Sequence, residues 1–86
     1  MFDLKNHSQL GEPVPEGEYM LKLFQPSRAD SQPKGAVVQA WRKDQLVREI
    51  EVPLDYEPRF GIDVSDMQEI EKATDKLVEE LKQETT

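Results

Sequence analysis

Apolar and polar residues along this chain follow two patterns, one with the spacing of a helix and one that alternates like a strand. The helical pattern covers residues 65–82, where apolar residues recur every three or four positions and charged residues fill the opposite side. This spacing places the apolar side chains on one stripe of a helix. The pattern predicts an amphipathic C-terminal helix that packs on another part of the chain. Its apolar stripe consists of Met67, Ile70, Ala73, Leu77, Val78 and Leu81.

Two residues compete as the cap of this helix. Ser65 with Gln68 fits a capping box, in which the two side chains satisfy backbone N–H groups of the first turn. A start at Asp63 is the alternative, and it would let Ile62 pack against Met67. We take Ser65 as the start, with a boundary that can shift by about two residues.

The alternating pattern occurs in residues 18–24, 36–42 and 46–54, and predicts three strands. Their connections suit antiparallel neighbours and are too short for parallel crossovers. We therefore expect an α+β fold, in which a three-stranded antiparallel meander packs against one long C-terminal helix. All 86 residues should form a single domain, because so short a chain cannot support two cores.

The two ends of the chain have weaker patterns. Residues 1–16 are polar and punctuated by proline and glycine. They form either a fourth, N-terminal edge strand containing Phe2 and Leu4, or a flexible arm. Residues 83–86 are expected to fray.

The register between the second and third strands depends on the length of the turn at Lys43. A three-residue turn, Lys43 to Gln45, puts Ala36, Val38 and Ala40 on one face with Leu46, Ile50 and Val52, and leaves Trp41, Val37 and Val47 on the other. A two-residue turn would move Val37 and Trp41 to the face of Ile50 and Val52, because a shift of one residue exchanges the faces. We prefer the three-residue turn, since it places both alanines under the helix.

Two longer connections complete the chain. Residues 25–34 contain two prolines and no large apolar residue, which indicates a surface loop. The connector before the helix carries Tyr56 and Phe60 beside Arg59. We expect the two aromatic rings to close one end of the sheet, with an aromatic and cationic contact surface as the alternative.

Charge and composition restrict the functions that the chain can have. The net charge of −7 argues against nucleic-acid binding, which depends on cations that replace phosphate counterions. There is no cysteine, no membrane-length apolar run, and no secretory signal pattern in the first residues. We expect a cytoplasmic protein that does not interact with membranes.

Residues with catalytic or ligand-binding chemistry are scarce. The chain has no phosphate-binding loop, nucleophile elbow or HExxH motif, and His7 is its single histidine. A histidine without an orienting partner is a poor general base, and we expect His7 to face solvent. We expect no enzymatic activity, no cofactor and no metal site. A small-molecule ligand would need a pocket beside Tyr56 and Arg59.

The strongest functional signal is an excess of apolar side chains, because one helix covers only one face of the sheet. The uncovered face would be hidden by the N-terminal residues or would bind another protein. On the second interpretation the chain is a small acidic protein-binding module, or a homodimer. Its predicted contact residues are Trp41, Val37, Val47, Met20, Phe24 and Arg48.

An alternative function uses the acidic helix. Carboxylates along one helix can imitate nucleic acid or inhibit a basic protein surface, and such binding weakens steeply with salt. The residues that would do this are Glu69, Asp75, Glu79 and Glu80.

Overall fold

A computed structural model describes residues 3–28, 30, 34–54 and 63–84 of the chain. These residues form five strands and one helix. In chain order they are β1 (His7–Gln9), β2 (Val14–Glu16), β3 (Tyr19–Pro26), β4 (Ala36–Arg42), β5 (Gln45–Val52) and α1 (Val64–Glu84). The predicted α+β fold is confirmed, and the sheet is larger than the expected meander.

The sheet is antiparallel throughout, with β3 and β4 at its centre and β5 at one edge. The other edge is made by β1 and β2, which lie one after the other along β3. The expected three strands are therefore joined by two short strands from the N-terminal residues. They lie at His7–Gln9 and Val14–Glu16. The edge strand expected at Phe2 and Leu4 is not where β1 forms, because Leu4 lies before β1 and Phe2 lies outside the described residues.

A glycine turn and hydrogen bonds to β3 and to the residue after it hold the two N-terminal strands in place. Gly11 takes a φ of 73°, a value that glycine adopts without steric cost, in the turn between them. The backbone N–H of Leu10 donates to the carbonyl of Leu23 at 2.7 Å. Ser27 donates to the Asn6 carbonyl from both its backbone N–H, at 2.9 Å, and its hydroxyl, at 2.6 Å. The start of the predicted 25–34 loop is thus tied to β1.

The turn between β4 and β5 corrects our preferred register. It has two residues, Lys43 and Asp44, rather than three, because Arg42 pairs directly with Gln45. The faces predicted for the residues farther from the turn, Ala36 and Val38 in β4 and Ile50 and Val52 in β5, are nevertheless right. A β-bulge at Val47 puts one extra residue into β5, so that Trp41 pairs with Leu46 and Ala40 with Arg48.

The bulge changes the position of one predicted core residue. Cross-strand partners share a face of the sheet. Ala36, opposite Val52, and Val38, opposite Ile50, lie under the helix as expected. Leu46 does not, because it lies opposite Trp41 on the other face. Without the bulge, a two-residue turn would put Ile50 and Val52 on the face of Val37 and Trp41. The extra residue in β5 shifts the register by one and returns Ile50 and Val52 to the face that the helix covers.

The core lies between α1 and one face of the sheet, which we call the helix face. Its buried side chains come from β3, β4, β5 and α1, and each has at most 4% of its surface exposed. The set is Leu21, Ala36, Val38, Ala40, Val52, Ile70, Leu77 and Leu81. Both alanines of β4 lie in this core under the helix, as the sequence pattern predicted.

The helix begins earlier and ends later than expected. Asp63 is its cap, since the Asp63 carboxylate accepts the backbone N–H of Asp66 at 2.9 Å and the Asp66 carboxylate accepts that of Asp63 at 3.3 Å. The alternative start at Asp63 is therefore right and the Ser65 box is wrong. The contact proposed for Ile62 lies outside the described residues. At the other end the helix continues through Gln83 to Glu84.

Candidate binding surfaces

The face of the sheet opposite the helix, called here the far face, carries an apolar row that crosses every strand except β1. Pro15 pairs with Met20, Met20 with Trp41, and Trp41 with Leu46. Paired residues share a face, so these four side chains are neighbours across the sheet. Met20 is 40% exposed, Pro15 is exposed, and the other two are half-buried. The apolar row is therefore accessible to another molecule.

Polar contacts fix the indole of Trp41 at the centre of this row. Its Nε1–H donates to Oε1 of Gln39 at 2.8 Å, and Nε2 of Gln39 donates to Glu49 at 2.7 Å. The ammonium of Lys22 lies 4.7 Å from the centre of the ring, within cation–π range. Gln39 is only 3% exposed and is held by both hydrogen bonds. The indole is thus oriented before any partner binds.

The predicted contact residues do not all belong to this surface. Met20 and Trp41 are members of the apolar row, and Val47, 41% exposed at the bulge, adjoins Leu46. Phe24 is half-buried on the far face, where the polar pair of Lys22 and Gln39 lies between it and Met20. Val37 is fully buried and contributes no accessible surface.

Arg48 lies on the other side of the sheet. It is paired with Ala40 on the helix face, and its guanidinium contacts Glu80 of α1 at 2.8 Å. This ion pair ties β5 to the helix. Arg48 therefore cannot form the rim of a surface centred on Trp41.

Sequence reasoning missed Pro15 and Leu46 as members of the row. Pro15 belongs to a three-residue strand whose pairing leaves little trace in the sequence pattern. Leu46 reaches the far face through the bulge. A period-two pattern cannot reveal a bulge, since it assumes unbroken alternation.

A second candidate surface is a groove on the helix face, between α1 and the edge formed by β2 and β3. Three adjoining depressions, of about 230, 370 and 140 Å³, follow the helix from Met67 to Lys82. At about 1.5 Å per residue this part of the helix spans roughly 22 Å. The partly accessible apolar residues that line the groove are Val14, Tyr19, Leu23, Met67 and Val78.

The rim of this groove is acidic. Glu16 stands on the strand side, and Glu71, Asp75 and Glu79 follow one another along the helix side. Lys82 is the basic residue at the end of the groove near the β2–β3 turn. Four more carboxylates among the described residues form ion pairs: Asp30, Glu18, Glu80 and Glu69. Of these, Glu18 also lines the end of the groove near the β2–β3 turn.

The four helix carboxylates predicted to imitate nucleic acid do not form one surface. Asp75 and Glu79 lie on the groove rim. Glu80 instead pairs with Arg48 on the β5 side of the helix, and Glu69 lies 3.8 Å from Lys72. The predicted set is therefore divided between two sides of the helix: Asp75 and Glu79 face the groove, and Glu69 and Glu80 form ion pairs away from it.

His7 is not a solvent-facing residue of a loose arm. It lies in β1, half-buried, with its Nε2 3.1 Å from the carbonyl oxygen of Gly35. Because a carbonyl only accepts, Nε2 carries the proton in this contact. His7 thus links β1 to the start of β4, which is a structural position.

The described residues also bear on metal ions and on membrane helices, and two expectations for the connector before the helix fall outside them. Among the described residues, no group of three histidine or acidic side chains is placed to hold a metal ion. A helix with the length and apolar character needed to cross a bilayer is absent from the same residues. The place where a small-molecule ligand would need a pocket, beside Tyr56 and Arg59, and the aromatic plug predicted with Phe60 lie outside the described part of the chain.

Comparison of the chain with models of protein families, with curated proteins and with solved structures finds no match. We therefore infer the function from the two surfaces themselves.

Proposed function

We propose that this chain is a small, non-enzymatic, cytoplasmic protein-binding domain that contacts a protein partner, or a second copy of itself, through the apolar row. The observation that supports this proposal is the accessibility of Pro15, Met20, Trp41 and Leu46 on a sheet face that α1 does not cover. Tryptophan and methionine are enriched at protein interfaces and are less common on other surfaces.

The environment of the indole suits such a contact. A side chain that is ordered before binding loses less conformational entropy when a partner arrives. Trp41 is held by Gln39 and covered on one side by Lys22. It would serve as the rigid anchor, while Met20 adapts to the shape of the partner.

The first experiment measures self-association by sedimentation velocity over a wide range of protein concentration. Met20→Glu places a charge in the row at a position that is 40% exposed, and should abolish any dimer that the row forms. Val64→Glu is the matched control, because Val64 is 74% exposed at the first turn of α1, the element that packs on the opposite face of the sheet. The control should behave like the unmodified chain.

A second experiment tests whether the apolar row binds a different protein rather than a second copy of the chain. A photo-crosslinking amino acid is introduced at Met20 or, as the control, at Val64, in cells that express the chain. Protein adducts formed from Met20 and missing from Val64 would support the proposal. A chain that stays monomeric and gives the same adducts, or none, from both positions contradicts it.

A further inference from the structure

We propose that the groove between α1 and the β2–β3 edge binds a basic amphipathic helix of about four turns supplied by another protein. This inference does not depend on the proposed function, because the groove lies on the helix face and the apolar row on the far face. Four features of the groove support this occupant: its apolar lining, the charge of its rim, its length and the chemistry of its strand edge.

The lining of the groove favours an apolar stripe on the occupant. Val14 is 46% exposed beside half-buried Leu23 and Met67, although all three adjoin the main core. Farther along, Val78 and Tyr19 continue the lining towards the β2–β3 turn. Side chains of an occupant would extend the core of the domain and remove this apolar surface from water.

The rim selects the charge of the occupant. Glu16, Glu71, Asp75 and Glu79 place four carboxylates beside the apolar depressions at the two ends of the groove and around the more polar one between them, and Lys82 is a basic lining residue. The whole chain adds to this field with a net charge of −7. A segment with lysine or arginine beside its apolar stripe would complement both features, whereas an acidic segment would be repelled.

The strand edge favours a helix over an added strand. The β2–β3 turn has two residues, Gly17 and Glu18, and the residues that flank it, Glu16 and Tyr19, pair with each other. The backbone of Pro15 therefore points away from β3. Proline has no N–H, and this edge therefore lacks a donor where an added strand would need one. A helix requires no backbone bonds from its partner, and about four turns match the roughly 22 Å of the groove.

The test uses a fluorescent peptide of leucine and lysine, arranged with one apolar stripe over about four turns. Its fluorescence anisotropy is measured against increasing concentrations of the chain. A second peptide has the same composition in a scrambled order without a stripe. We expect the striped peptide to bind at least about tenfold more tightly, since only it can fill the apolar floor. Equal binding of the two peptides would overturn the proposal.

Matched variants locate the contact. Glu71→Lys changes the rim, and Glu69→Lys makes the same charge change at an exposed helix residue outside the groove. We expect Glu71→Lys to weaken binding by about five- to tenfold and Glu69→Lys by less than about twofold. Equal weakening by the two variants would mean general attraction to an acidic protein, and the groove would be excluded.

The apolar part of the groove is tested in the same way. Val14→Ser should weaken binding of the striped peptide by about threefold, and Val64→Ser, an exposed valine outside the groove, should leave it unchanged. Amide chemical shifts in the presence of the peptide should move at Val14, Thr74 and Val78. Shifts confined to the far face around Trp41 would place the peptide on the apolar row and overturn the inference.

Discussion

At Gly35 the start of β4 passes so close to the end of β5 that a side chain has no room. A Cβ atom added there would overlap the carbonyl oxygen of Val52 and lie 2.8 Å from its carbonyl carbon. Ordinary van der Waals contact begins at 3.4 Å. Both obstacles are backbone atoms of β5, so rotation of a side chain cannot relieve the clash. Gly35→Ala must push the two strands apart.

The size of the effect follows from what that movement disturbs. Overpacking alone costs about 1–3 kcal/mol, and a clash with backbone belongs at the upper end. Separation of the strands also weakens the contact of the Gly35 N–H with Glu51, now 3.3 Å, and of the Gly35 carbonyl with His7, now 3.1 Å. We expect the free energy of unfolding to fall by about 3 kcal/mol.

The assay is urea denaturation, followed by tryptophan emission and far-ultraviolet circular dichroism on the same samples. Gly11→Ala and Gly17→Ala are the controls, because an added Cβ meets nothing within 4 Å at either residue. Their cost comes only from φ values of 73° and 61°, about 1–2 kcal/mol. The three changes share the same small gain from a stiffer unfolded chain, which cancels in the comparison.

Gly35→Ala should therefore unfold with a free energy about 1–2 kcal/mol lower than Gly11→Ala, and with a melting temperature about 4–16 °C lower. If the two variants unfold at the same urea concentration, β4 and β5 do not approach each other as described. The steric argument for glycine at this position would then be wrong.

Two further substitutions examine local features. Lys43→Gly should raise the free energy of unfolding by up to about 1 kcal/mol, because Lys43 has a φ of 57° that glycine adopts without steric cost; a loss of stability would contradict the turn geometry. Asp63→Ala should lower it by about 1 kcal/mol by removing the helix cap, whereas Ser65→Ala should have little effect, and the reverse order in urea denaturation would restore Ser65 as the cap.

The elements set by hydrophobic spacing were predictable from the sequence. The stripe from Met67 to Leu81 predicted α1 and the side by which it packs, and alternation predicted β4 with the bounds that the structure has. Burial of one face is a requirement over many residues, so no single residue can reverse it. The pairing of Val38 with Ile50 follows from the same requirement.

Features decided by one or two residues were not predictable. The two-residue turn depends on Lys43 taking a φ for which lysine has no preference, and the bulge at Val47 then corrects the faces. Asp63 and Ser65 are both good cap residues, and the reciprocal bonds with Asp66 decide between them. The strands of the N-terminal edge have three residues each, too few for a pattern.

The same limits explain why only part of each candidate surface was visible in the sequence. Trp41 and Met20 were predicted because their strands alternate regularly, whereas the groove needs β2, α1 and the β2–β3 turn to come together. The sheet lies between the two surfaces, so an occupant of the groove does not cover Trp41. Tryptophan emission therefore reports contacts of the apolar row, and peptide anisotropy reports the groove, on one sample. A domain with both contacts can hold two partners at once, because neither occupant blocks the other.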